Sequence, residues 1–144
     1  MTPLTVVYRR VSDLRPDPLN SRTHPTRQVR QIAESIRAFG FVNPILIDET
    51  GLIIAGHGRF LGAKKLGLET VPTIELRDLA THAKRALRLA DNRIALNAGW
   101  DSALLAGELE ALSLPETSFD LSVTGFSTGE CPPSAPVRQI EGSR

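Results

Sequence analysis

The chain has 144 residues, of which 41% are hydrophobic and 5% aromatic, and a formal net charge of +1 at pH 7. That suits one domain with an aliphatic core, and no stretch approaches the roughly 18 consecutive apolar residues of a membrane span. The first residues lack the basic-then-apolar layout of a signal peptide, and the single cysteine, Cys131, excludes a disulfide framework or a cysteine metal site within one chain. A cytoplasmic protein is the expectation.

In chain order, residues 4–11 are rich in β-formers and predict a strand that ends before the turn-prone run Arg15, Pro16, Asp17, Pro18. Val29, Ile32, Ala33 and Ile36 fall at i, i+3, i+4 and i+7, an amphipathic helix that Thr23 or Thr26 can cap and Gly40 can close. Residues 44–47 and 52–55 read as short apolar strands joined by a hairpin turn at 48–51. After Gly56 the apolar period changes from two to 3.6, and this helix ends at Gly67. Residues 71–76 predict a further strand, and Pro72 argues that it lies at a sheet edge or begins there. Leu79, Ala83, Ala86, Leu87, Ala90 and Ile94 predict a long helix. Asp101 is placed to cap another, with Leu105, Leu109 and Leu112 facing inward. Trp100, just before that cap, reads as a packing residue of the helical extension. From residue 127 the composition turns to Pro, Ser, Gly and Thr and predicts a disordered tail.

The order β-α-β-β-α-β followed by two helices predicts an α+β fold, a small mixed β-sheet with helices. The expected domain spans residues 1–126, with a core at about 4–93, a C-terminal helical extension at 94–126 and the tail at 127–144. Charge is unevenly spread. Residues 1–93 carry 15 Lys/Arg against 9 Asp/Glu, and residues 94–144 carry 2 against 7. The basic part suits a polyanion partner, or else is dispersed surface charge.

The stretch with most chemical content is Gly56, His57, Gly58, Arg59, where a strand becomes a helix. Unpaired amides and the positive end of the helix dipole attract anions there. Two glycines allow close approach to the backbone, Arg59 can fork onto phosphate oxygens, and His57 can donate or add charge. The spacing matches neither a P-loop nor a Rossmann fingerprint. A tight turn with a solvent-facing arginine is the other reading. Asn20, Arg22 and His24 stand before the first helix as another candidate anion site. Asp91 and Asn92 interrupt the apolar pattern where the long helix should bend or end, and could instead hold a divalent cation with oxygen ligands. No nucleophile constellation, H-E-x-x-H motif or paired-carboxylate motif is present.

Three ordered motifs, AESIRAFGFVNPILI (33–47), IIAGHGRFLGAKKLGLETVPTI (53–74) and LADNRIALNAGWD (89–101), resemble the N-terminal domain of the ParB/sulfiredoxin superfamily over about residues 4–126. The resemblance is to ParB-like domains of phages, mobile elements and DNA-methyltransferase fusions. It implies a nucleoside triphosphate pocket for CTP or ATP with Mg2+. Gly56, His57, Gly58 and Arg59 then form the phosphate loop, Arg22 belongs to the first nucleotide-contacting segment, and Asp91 and Asn92 lie at the triphosphate and its magnesium. Where partition ParB proteins have Gly-Glu-Arg-Arg, this chain has Gly-His-Gly-Arg. His57 also stands near the place of the sulfiredoxin cysteine, which argues against sulfinic-acid reduction. The implied role is a DNA-associated regulator or accessory subunit in a partition, plasmid/phage or DNA-modification context; the basic balance of residues 1–93 without an evident recognition helix predicts weak DNA binding without sequence preference. The implied partners are a DNA methyltransferase or other DNA-processing protein, with a homodimer as the assembly. The alternative is a metal-dependent nuclease or NTPase using the same pocket; a kinase acting on free serine is a weaker third option.

Overall fold

The computed structural model describes residues 3–20, 22–117 and 120–126. The predicted tail, with Cys131, lies outside these residues. The described chain falls into two compact units, one running to Asn97 and one starting at Ala98.

The first unit is built on a four-stranded sheet of β1 (Val6–Arg10), β2 (Ile45–Ile47), β3 (Ile53–Ala55) and β4 (Thr70–Glu75), in the order β1-β4-β2-β3. β1 and β4 are antiparallel, β4 and β2 parallel, β2 and β3 antiparallel, so the sheet is mixed as expected. Three helices accompany it: α1 (Thr26–Phe39), α2 (His57–Leu66) and α3 (Thr81–Ile94). α1 packs on α2, α2 on β2 and α3 on β3.

Aromatic poverty shows in the core. Ile45, Ile47, Ile53 and Val71 are fully buried in one cluster that Leu14, Phe60 and Ala63 close, and Ile54 is fully buried outside that cluster. Each buried isoleucine stabilises the fold by about 1.5–3 kcal/mol. The hairpin turn between β2 and β3 is held from inside by Asp48. Its Oδ1 accepts from the amides of Thr50 and Leu52 and from the Thr50 hydroxyl, while Lys84 of α3 reaches Oδ2 at 3.0 Å. Burial pushes the Asp48 carboxyl up, but these bonds outweigh it and hold the pKa at about 2. Gly51 in this turn has φ +86°, and a Cβ there would sit 2.7 Å from the Asp13 carbonyl oxygen.

Three expectations need correction. First, β4 is a central strand, and Pro72 is its third residue. The Val11 amide donates to the Glu69 carbonyl at 2.9 Å, which sets the alternation along the β1–β4 ladder and makes Tyr8–Pro72 a non-hydrogen-bonded pair. The missing N–H of Pro72 thus faces β2, whose pairing with β4 begins only at Ile45–Thr73. A proline fits where one neighbour has not yet started.

Second, neither threonine caps α1. Pro25 is the N-cap residue, with extended backbone and no side-chain cap, and Thr26 is already helical. Third, Asp91 and Asn92 do not end α3. The helix runs through them to Ile94 and tightens into a 3-10 turn at Ala95–Asn97.

In the second unit, α4 (Ser102–Leu112) starts at Asp101, whose carboxylate accepts from the Leu104 amide at 3.1 Å, as the sequence predicts. Leu109 is buried, and Leu105 and Leu112 are half-buried. Trp100 meets Phe126 edge to face with ring centroids 5.2 Å apart, but it is 70% exposed and so anchors little by burial.

Candidate functional site

β3 ends at Ala55, and Gly56 turns the chain into α2 with φ +104° and ψ +23°, a left-handed conformation that favours glycine. The Phe60 amide closes the first helical bond on the Gly56 carbonyl at 2.9 Å. The amides of the first turn, His57 to Arg59, have no intrahelical partner, and the dipole adds positive potential there. Arg59 folds back over this turn. One terminal nitrogen donates to the Pro44 carbonyl at 3.1 Å, and its buried Nε has no partner among the described residues. Burial pushes the guanidinium below its usual range, opposed by the nearby charge of Asp91. It remains a cation with donors to spare.

Gly58 does other work than expected. A Cβ there would lie 2.8 Å from Ile32 Cδ1 and 3.0 Å from His24 Cε1, and one at Gly62 would lie 3.0 Å from Ile32 Cγ2. These glycines let α1 settle against α2. Close approach at Gly58 is used by the protein's own helix.

His57 is buried, and its Nε2 accepts the Asp17 amide at 3.0 Å. Burial pushes its pKa down to about 4, helped by the charge of Arg88 and, less, of His24, with Asp17 opposing. At neutral pH the ring is uncharged with the proton on Nδ1. It adds no positive charge to the turn, contrary to one of the roles the sequence offered it.

The same Asp17 organises the segment that leads to α1. Its carboxylate forms a buried ion pair with Arg88 of α3 through Oδ2 and accepts the Leu19 amide at 2.9 Å through Oδ1. Its carbonyl accepts the Asn20 amide at 3.0 Å. Arg22 then reaches α3, donating to the Asn92 carbonyl at 3.3 Å, while the Asn92 side chain donates to the Arg88 carbonyl at 3.0 Å. His24 Nδ1 lies 2.7 Å from Gln28 Oε1. The glycine turn, the Asp17 segment and the end of α3 are thereby tied together.

The result is one cavity of about 380 Å³. Arg22, Gly56, His57, Gly58, Arg59, Asp91 and Asn92 all line it, although they come from three stretches of sequence. Asn20 and His24 join them, and Ile32, Ile36, Phe41 and Val42 line an apolar part. Asp91 is exposed. Among the described residues no three His, Cys, Asp or Glu side chains cluster as a metal site, so a cation here would complete its shell with water or a bound anion.

Asp17 and Arg88 were not singled out from the sequence. Arg88 has a legible signal all the same. Lys84, Arg88 and Asn92 recur every four residues along one stripe of α3, and each rung meets a different segment. A polar stripe usually means solvent, and this one points inward.

The model for the ParB N-terminal domain matches residues 4–93. The chain belongs to that family. It is 50% identical over 82 residues to the ParB-like nuclease domain-containing protein YnaK of Escherichia coli, covering 57% of this chain and 94% of that protein. It is 35% identical over 92 residues to Stage 0 sporulation protein J of Bacillus subtilis, covering 61% of this chain but 32% of that protein. This ParB N-terminal domain thus spans about a third of the length of that partner in the comparison. Among solved structures, the C-terminally truncated chromosome-partitioning protein ParB of Caulobacter crescentus complexed with CTP-gamma-S superposes with a TM-score of 0.72 at 22% identity, covering 88% of this chain and 74% of that one. The same protein complexed to the centromeric parS site gives 0.52 at 20%, covering 87% and 67%. The ParB N-domain fold is therefore shared. No helix among the described residues is long and apolar enough to cross a membrane.

Proposed function

We propose that the cavity binds a nucleoside triphosphate, CTP or ATP, and that the domain serves as a DNA-associated regulator or accessory subunit. One observation carries the reading: Arg59, half-buried with a buried Nε that has no partner among the described residues, lies over the N-terminal turn of α2 inside the cavity that Arg22 and Asn92 also line. Helix amides, a half-buried guanidinium and a second arginine suit a phosphate chain. The fold shared with a ParB that holds CTP-gamma-S supports it. His57 and Gly58 keep the turn in shape, Asp17 and Arg88 keep Arg22 in place, and Arg59 supplies the charge. Asp91, with Asn92 beside it, would face a magnesium ion on the phosphates, which would supply charge neutralisation.

The excess of basic residues before position 94 supports weak, salt-sensitive binding to DNA without sequence preference. A DNA methyltransferase or another DNA-processing protein is the proposed partner, a homodimer the proposed assembly and the cytoplasm the proposed location. The core at about 4–93 and extension at 94–126 are the proposed domain division. A calorimetric screen of CTP, ATP and GTP with magnesium tests the central claim. Saturable binding of one of them is expected, and no heat from any of the three refutes it.

The second reading is a metal-dependent nuclease or NTPase in the same cavity. Asp91 favours it, being an exposed carboxylate close enough to Arg59 to act on its charge, where it could serve as a base. Product formation over time, from a triphosphate or from DNA, separates enzyme from binding switch.

A further inference from the structure

The second unit carries a surface of its own. α4 reads SALLAGELEAL, a helix apolar on most sides, yet Leu109 is its one buried residue among those described. Such a helix ordinarily has neighbours on several sides. Beside it runs a groove of about 370 Å³ lined by Trp100, Leu104, Leu105, Leu109, Leu112 and Phe126. Trp100 and Leu104 are each 70% exposed at its edge. An indole and a leucine held open at the mouth of an apolar trough are the usual anchors of a helix-in-groove contact.

Charge decides the class of occupant. Between Ile94 and Val137 the sequence has no Lys, Arg or His, while Asp101, Glu108, Glu110, Glu116, Asp120 and Glu130 are acidic. Asp101 and Glu108 stand at the groove itself. Nucleic acid and anionic lipid are repelled by these two carboxylates at the groove. A second copy docking groove to groove would set the same acidic rims against each other, since a two-fold contact repeats one patch on both sides. What fits is an apolar ridge flanked by positive charge. We propose that this groove takes a basic amphipathic helix of a partner protein, with leucine-like anchors between Trp100 and Leu112 and Lys or Arg toward the acidic rim.

Trp100 is the chain's one tryptophan and reports on the groove directly. The full chain is titrated with a synthetic peptide carrying Leu at i, i+3, i+4 and i+7 and Lys between, with a scrambled peptide of the same composition, and with the Glu-for-Lys counterpart. The basic helical peptide should blue-shift Trp100 emission and bind in the micromolar range, more weakly at raised salt. Leu104→Ser should weaken it by about tenfold or more. Because Leu104 is largely exposed, that variant should keep its circular dichroism and melting temperature. Equal binding of the scrambled peptide means charge alone and overturns the proposal, as does equal binding of the acidic peptide. So does no binding, or an unaffected Leu104→Ser variant. A concentration-dependent dimer abolished by Leu104→Ser would put a second copy in the groove and also overturn it.

Discussion

The Asp17 amide donates to His57 Nε2 at 3.0 Å, joining the segment before α1 to the first turn of α2 across 40 residues of sequence. The bond needs an unprotonated Nε2. Burial, Arg88 and His24 oppose a second proton, and the Asp17 carboxylate favours it.

Stability should therefore fall in mild acid. The pKa of His57 is about 4 in the folded chain against an ordinary 6.5, so the unfolded chain binds more protons between those values. The contribution is complete above pH 6.5, declines as pH falls and is gone below about 4, a loss of up to about 3 kcal/mol. His57→Gln can accept the same amide through its side-chain oxygen without titrating. Urea unfolding from pH 7 to pH 4 should be flatter for the variant, and identical slopes would remove His57 from the acid response.

Removing one partner of the Asp17–Arg88 pair leaves a buried charge uncompensated. Asp17→Asn or Arg88→Met should each cost about 3–5 kcal/mol, and the double variant much less than their sum. Denaturation midpoints for the four proteins measure this coupling. Additive losses would show that the two charges act separately.

Arg59→Ala should lower nucleotide affinity by roughly 10- to 150-fold, the worth of about 1.5–3 kcal/mol for a charge-assisted hydrogen bond. The fold should persist, because among the described residues its side chain makes one hydrogen bond, to the Pro44 carbonyl. Calorimetry beside a melting curve checks both halves. Unchanged affinity in the mutant would sink the phosphate role of the α2 turn.

Asp91→Ala should weaken triphosphate binding far more in magnesium than in EDTA. A hard cation commonly takes one or two carboxylates and completes its shell with phosphate and water. Without the metal, loss of a negative charge near the phosphates should be neutral or favourable. Equal changes in both buffers would leave Asp91 no metal role. α3 already runs through this residue, so a merely helix-ending role is not the competing account.

The element order was readable because each helix and strand carries its own period, as with Val29, Ile32, Ala33 and Ile36. The cavity residues were readable too, since glycines and a cation at a strand-to-helix turn announce themselves. Pro72 misled because edge position was inferred for a whole strand, whereas the requirement applies to one side of one residue. Asp91 and Asn92 looked like a stop because polar residues break an apolar pattern whether they end a helix or face a cavity. Gly58 looked open because a sequence does not say which atoms occupy the space a Cβ would take. Ile32 and His24 do. The pairing of Asp17 with Arg88 was invisible for the same reason: Arg88 belongs to a legible stripe, but nothing local names a partner 71 residues away.

The four-residue stripe of α3 makes that helix a ruler. Lys84 marks the hairpin, Arg88 the Asp17 segment, and the Asn92 carbonyl the position of Arg22. A residue added or removed between Lys84 and Arg88 would turn everything beyond it by about 100° relative to Lys84, so that the hairpin and the Arg22 side could not be met together. The spacing along α3 is thus a length standard for the site, intolerant of indels at places where individual substitutions would be absorbed.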